Sequence, residues 1–160
     1  EAANQFVKTL IYNIDGKPFA VMVRGDREVN ETKVLKLVGG LEIALAEPEM
    51  VVEATDAKVG FAGPIGLHCP LIMDLEVSHM ANFITGANKT GYHYIHVNQE
   101  DFKADYTADV RQIMEGDTVL AEKFVAVDGG QFRVITMELT LDAGEHTISL
   151  GDMSTTIVVE

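Results

Sequence analysis

FVKTLIYNIDGKPFAVMVR, residues 6–24, holds the key to the fold. FVKTLIYNI at 6–14 alternates and is rich in β-formers, Asp15-Gly16 is a turn pair, and PFAVMVR at 18–24 is a second apolar run. Two such runs joined by Asp-Gly predict a β-hairpin, since both turn residues take a positive φ that matches the twist of the strands.

Working outward, Asn30 is placed to cap a helix through Val38, with Val34, Leu35 and Val38 as its apolar stripe and Gly39-Gly40 as its stop. Pro48 suits the first turn of a second short helix reaching about residue 54. Residues 59–61 read as a strand entering the Gly-Pro segment FAGPIGL at 61–67, and LIMD at 71–74 as the strand that follows. A glycine loop between strands exposes backbone amides to a ligand. Residues 77–83 suit a short helix, TGANKTG at 85–91 is loop chemistry, and 92–97 is strand-like, which sends His93 and His96 to opposite faces. From Thr118 the texture becomes almost pure β: KFVAV, the turn Asp128-Gly129-Gly130, QFRVITMELTL, a turn at Ala143-Gly144, HTISL and TTIVV suggest a β-meander. The candidate boundary lies near Gly116-Asp117.

With 160 residues, 47% of them hydrophobic, the chain can bury a real core and is mainly one globular unit. It has no run of about 18 apolar residues and no basic-then-apolar leader, so neither membrane insertion nor export is expected, and cytoplasm is the expected compartment. A start at Glu1 rather than Met reads as a segment excised from a longer chain. The single cysteine, Cys69, excludes an internal disulfide, and no Cys/His set has zinc-site spacing, so no structural metal is expected. A formal charge of −13 opposes broad binding to nucleic acid. The charge is uneven: residues 1–40 net +1 and the other 120 carry −14, which makes the N-terminal quarter the expected face for a polyanion.

Six strings carry a resemblance: VKTLIY at 7–12, AVMVRGDREVNETKV at 20–34, VGFAGPIGL at 59–67, LIMD at 71–74, NFITGANKTGYHYIHVN at 82–98 and YTADVRQIMEGD at 106–117. In this order they resemble the insertion (editing) domain of bacterial prolyl-tRNA synthetases, part of the YbaK-like aminoacyl-tRNA deacylase family. The resemblance implies a mixed α+β fold around a curved, mostly antiparallel sheet with flanking short helices. It spans about residues 5–117, so the expected division is an editing domain at 1–117 and a β-rich extension at 118–160. The implied activity is hydrolysis of alanine from mischarged tRNA(Pro), with a proline–tRNA ligase as the parent enzyme. The implied partner is the tRNA(Pro) acceptor end carrying alanine. Editing would need no cofactor, since ATP and Mg²⁺ serve the synthetase core, which is absent from these residues. Rival readings are an inactive tRNA- or nucleotide-binding module, and a structural β-rich protein whose function lies in the tail.

Ester hydrolysis needs a placed water and a stabilised oxyanion, not a covalent nucleophile. Residue by residue, the resemblance implies a catalytic group of Lys8, Gly63, Gly66 and Asp74, and a substrate-binding group of Pro64, Ile65, Gly86, Ala87, Asn88 and His93. Lys8 would neutralise a phosphate or the oxyanion, although by itself it reads as an outward lysine on a half-buried strand. The 63–66 loop would present backbone N–H groups, although Gly-Pro alone marks any turn. Asp74 would orient water or hold Lys8 or a neighbouring backbone in place, or else cap the next helix. His93 would limit the amino-acid pocket so that alanine enters and proline does not. Gly86, Ala87 and Asn88 would form a tight loop near the terminal adenosine. Asn88-Lys89-Thr90 as a glycosylation sequon and Arg24-Gly25-Asp26 as an adhesion tripeptide are coincidences of short patterns. Cys69 beside His68 suggests a thiol nucleophile, but neighbours on an extended chain diverge, and a lone cysteine is usually inert.

Overall fold

The computed structural model describes residues 3–115, 118–121, 125–126, 141–150 and 153–159. Strands β1 (Val7–Ile14) and β2 (Lys17–Arg24) form the expected hairpin, in register from Val7 opposite Arg24 to Ile14 opposite Lys17. Asp15 and Gly16 take φ of 52° and 83°, as a two-residue type I′ turn requires. The Asn13 side chain accepts the Gly16 N–H at 2.8 Å, and the Asp15 carboxylate accepts the Leu41 and Glu42 N–H groups.

Helix α1 (Glu31–Val38) begins at Asn30, whose side chain accepts the Lys33 N–H at 3.0 Å, and ends at Gly39 with φ 69°. Short strand β3 (Ile43–Leu45) pairs with the last residues of β1, and helix α2 (Pro48–Thr55) starts on its proline. The expected strand at 59–61 does not form: residues 58–70 are irregular up to β4 (Leu71–Asp74). Residues 77–83 supply only a single 3₁₀ turn at Val77–His79, then β5 (Phe83–Gly86), paired antiparallel with β6 (His93–Val97). TGANKTG thus contributes its first two residues to a strand.

Strand β7 (Tyr106–Asp109) lies parallel to β4, which lies parallel to β2. With β10 (Val125–Ala126) the central sheet runs β10-β7-β4-β2-β1-β3, so antiparallel edges flank a parallel centre. β2 is the clearest case of alternation: Ala20 and Met22 join the core under α2, and Val21 and Val23 join the core under α1. Strands β8 (Ile113–Glu115), β9 (Thr118–Ala121), β11 (Gly144–Leu150) and β12 (Met153–Val159) form an antiparallel sheet ordered β12-β11-β8-β9. Pairing therefore crosses residues 116–117 in both directions, through β10 on β7 and through β8 on β9 and β11. The Gly116-Asp117 boundary and the strand and turn expected over 127–140 lie outside the described residues. No helix among the described residues is long and apolar enough to cross a membrane.

Charge, too, is used inside the fold. Lys33 is 1% exposed; its Nζ lies 3.0 Å from Asp109 Oδ2 and donates to the Arg111 carbonyl at 2.7 Å, tying α1 to the end of β7. Arg24, Arg27 and Arg111 converge on Glu76, with Arg24 also on Asp26 and Arg111 on Asp74. Much of the N-terminal basic surplus is therefore spent internally, and the Arg24-Gly25-Asp26 arginine is buried. Lys33→Met leaves Asp109 without its ammonium partner and should lower unfolding free energy by about 3–5 kcal/mol, measured by urea denaturation.

Candidate functional site

The far edge of β1 is only partly covered. β3 takes Tyr12 to Ile14, Phe6 bridges Ile84 of β5, and the segment between has no strand partner on that side among the described residues. A cavity of about 260 Å³ opens in this gap, floored by β1 and walled by Leu45, Ala46, Val51, Val59, Ala62 and Gly86. Its lining is apolar apart from backbone and the Lys8 and Thr9 side chains. Lys8 is tethered to Glu28 at 3.3 Å through an exposed pair, an attachment worth less than about 1 kcal/mol and readily given up. Thr9 is 8% exposed, and its hydroxyl has no hydrogen-bond partner among the described residues.

One wall is set by a backbone crossing. A methyl group on Gly63 would overlap the Gly86 carbonyl, and one on Gly86 would overlap the carbonyls of Ala62 and Phe61. Both positions need glycine because the chains touch there, not because of φ. Asn88, at φ 50°, latches the crossing: its Oδ1 accepts the Gly63 N–H at 2.8 Å, its Nδ2 donates to the Gly63 and Ile65 carbonyls at 2.9 and 2.8 Å, and its own N–H reaches the Phe61 carbonyl at 3.0 Å.

The expected residues consequently sort into different positions. Lys8 and Gly86 line the cavity together. Gly63 and Pro64 are buried next to the lining residue Ala62, but the Gly63 N–H is already taken by Asn88, and proline has none to offer. Gly63 thus serves as a crossing point, not a free donor. Ile65 is half-buried against the core, while Gly66 is exposed at φ 82°. The Asn88 side chain is occupied as a brace, and Ala87 donates its N–H to the Tyr92 carbonyl across the loop. His93 pairs with Gly86 across β5 and β6; it is exposed and does not itself line the cavity, but its ring sits 5.3 Å from that of the lining residue Phe6 and 5.7 Å from that of Phe61. His96 takes φ 57° where the β5–β6 register shifts, so simple alternation fails between the two histidines. It lines a separate recess of about 660 Å³ with Asn4, Gln5 and Asn82, which none of the expected residues reaches.

Asp74 is not brought to the cavity. It is fully buried at the end of β4, accepting the Val110 and Glu76 N–H groups at 2.9 Å each, with Arg111 Nε also at 2.9 Å. Burial pushes its carboxyl up to about 6, against Arg111 and the two amides. The helix-capping reading comes near this arrangement, with the carboxylate bracing the start of the 3₁₀ turn. Burial likewise pushes the Cys69 thiol up to about 11, which leaves no thiolate for a nucleophile. Reasoning from sequence missed Thr9, Phe6 and the α2 side of the cavity; the only signal was that Thr9 shares a strand face with Val7 and Ile11.

Residues 1–104 match the family model described as the aminoacyl-tRNA editing domain. The chain belongs to that family. This editing domain is 51% identical over 149 residues to a proline–tRNA ligase of Caldicellulosiruptor bescii, covering 93% of the chain and 24% of the ligase. The ligase of Caldicellulosiruptor saccharolyticus is 46% identical over the same coverage, and that of Thermoanaerobacter pseudethanolicus 51% over 119 residues. The chain thus spans about a quarter of these relatives, and the domain is of the prolyl-tRNA synthetase type. At 93% coverage the first two alignments run past residue 117, further than the expected limit of the resemblance. Among solved structures, a candidate trans-editing enzyme for prolyl tRNA synthetase superposes with TM-score 0.60 at 22% identity, over 69% of this chain and 73% of that one. A second protein superposes with TM-score 0.58 at 24% identity, over 69% and 77%. Both share the mixed α+β fold.

Gly86→Ala forces the crossing apart and should cost about 3 kcal/mol or more in urea denaturation. Asn88→Ala strands a buried amide and two carbonyls, for about 2–3 kcal/mol. For Asp74, the folded state holds the proton more tightly than the unfolded chain, whose carboxyl titrates near 3.8. The stabilisation tied to this group is therefore present below about pH 4 and lost as pH rises through about 6; in Asp74→Asn a profile of urea midpoint against pH should lack that decline.

Proposed function

We propose that this editing domain hydrolyses the ester joining alanine to the acceptor end of tRNA(Pro), acting in the cytoplasm within a proline–tRNA ligase. The observation that supports this most is the small apolar cavity on the unpaired edge of β1, where Lys8 and Gly86 meet. An aminoacyl ester entering it meets one cation, one hydroxyl and strand-edge backbone groups, and no carboxylate or thiol side chain among the lining residues.

The chemistry follows from that inventory. Water adds to the ester carbonyl, the carbonyl oxygen gains negative charge, and the ribose oxygen leaves with a proton, giving free alanine and intact tRNA. In this reading Lys8 exchanges Glu28 for the developing oxyanion or the neighbouring phosphate, in an apolar setting that strengthens the attraction. In this reading the apolar cavity between β1 and the Gly63–Gly86 crossing receives the methyl side chain. His93 backs Phe6 and so sets the depth of the cavity, excluding the proline ring. Asn88 enters as the brace of one wall, and Asp74 as a brace of the sheet away from the cavity. The hydrolysis is proposed to need no cofactor, so chelator should leave its rate unchanged. Residues 118–160 are proposed as a β-rich extension that completes both sheets of the editing unit.

The deciding experiment measures release of amino acid from Ala-, Pro- and Cys-tRNA(Pro) by the purified chain. Alanine release well above the uncatalysed rate, with proline spared, is expected; binding without release would favour the inactive-module reading. Lys8→Ala should lower the alanine rate about 10²- to 10³-fold, by analogy with losing one oxyanion donor, and leave the urea midpoint nearly unchanged. His93→Ala should narrow the alanine-to-proline ratio about tenfold, the scale of one lost packing contact. Full activity in Lys8→Ala removes that residue from the mechanism.

A further inference from the structure

The cavity continues at its mouth into a surface the reaction above does not use. Val59, 61% exposed, lines both the cavity and an adjoining open depression of about 480 Å³, which it shares with Pro48, Glu49, Val52 and Lys58. Val52 is 46% exposed, and Leu45, on the cavity rim, is 58% exposed. Large aliphatic side chains gathered in the open beside a binding cavity mark a surface that something covers.

Chemistry narrows the occupant. Granting the deacylase reading, the acyl group in the cavity is bonded to a ribose, which must then sit at the mouth, with its base on whatever surface adjoins it. The depression meets that requirement through Val59, offers an aliphatic floor for a base face, and carries Lys58 where a phosphate would follow. In a chain of net charge −13, a lysine beside an apolar step is a local exception to the repulsive field. Glu49, the one carboxylate in the depression, can accept from the exocyclic amino group of a base. The loop that carries Lys58 is held in place, its backbone N–H donating to Thr90 Oγ1 at 3.1 Å.

We propose that the depression formed by Pro48, Val52, Lys58 and Val59 is the seat of the terminal nucleoside of the RNA, its base lying on the two valines. Val52 touches the depression and not the cavity, so it separates base binding from chemistry.

The test compares the wild-type chain with Val52→Asp and Lys58→Glu on Ala-tRNA(Pro), and on the same RNA ending in an abasic ribose. Val52→Asp should raise KM about tenfold, within the range of one lost base contact, at unchanged kcat and urea midpoint. The abasic end should cost the wild type a similar factor and cost Val52→Asp almost nothing further. An unchanged KM, or an abasic penalty equal in both proteins, overturns the proposal. So would a concentration-dependent dimer that Val52→Asp abolishes without altering deacylation, since the face would then serve self-association. If the wild type releases no alanine, the deacylase reading fails separately, and titration with adenosine monophosphate still decides the seat. Methyl NMR shifts confined to Val52 and Val59 support it, and their absence overturns it.

Discussion

Two stretches of backbone pass so closely at Gly63 and Gly86 that neither tolerates a methyl group, and the rest of the site depends on that contact. It brings an irregular segment from between α2 and β4 against a strand that follows β4, and the product is a wall of fixed position. Asn88 holds the contact closed with both ends of its amide. A loop at 58–70 with no regular structure of its own thereby acquires a definite shape, because backbone groups of Lys58, Phe61, Gly63 and Ile65 are paired with the neighbouring loop at Asn88 and Thr90.

The second element of the site is an omission. β1 is fully paired with β2, yet its other edge is shared between β3 and β5, which leave a gap where Lys8 and Thr9 sit. Unpaired strand edges are usually covered or blunted. Here the gap is roofed by α2 and the loop after it, which makes a cavity instead of an aggregation-prone edge. The buried ion pairs lie at the same strand end as Lys8, but on β4 and β7, across β2 from β1: Lys33 with Asp109, and Arg111 with Asp74 and Glu76, lock α1 and the ends of β4 and β7 together. Buried charges specify position at a cost in desolvation, so they suit the frame of the site better than its reacting centre.

Much of this was legible in the residues. The hairpin followed from alternation and Asp-Gly, α1 from Asn30 and Gly39, and α2 from Pro48, since each depends on chemistry within a few positions of itself. Linked motifs pointed to the editing family that the comparisons show. The misses share a cause. β5 was hidden because FITG is too short to show a period, and the strand expected at 59–61 failed because its backbone groups are spoken for elsewhere. The alternation expected between His93 and His96 broke at a residue in the left-handed region, which no local pattern announces.

Roles were harder to read than elements. A glycine in a Gly-Pro loop reads as a free amide donor, but the Gly63 amide is held by an asparagine 25 positions away. Asp74 reads as a site acid, but it lies under the sheet ends with three partners. Composition, spacing and turn chemistry were enough to establish the family, the hairpin and the two helices, because these reflect short-range backbone preferences and a shared pattern of residues. Which amides remain free, which carboxylate is buried and where a cavity opens were decided only when distant segments packed, because a hydrogen bond or a steric overlap exists only between groups the whole fold has brought within a few ångströms.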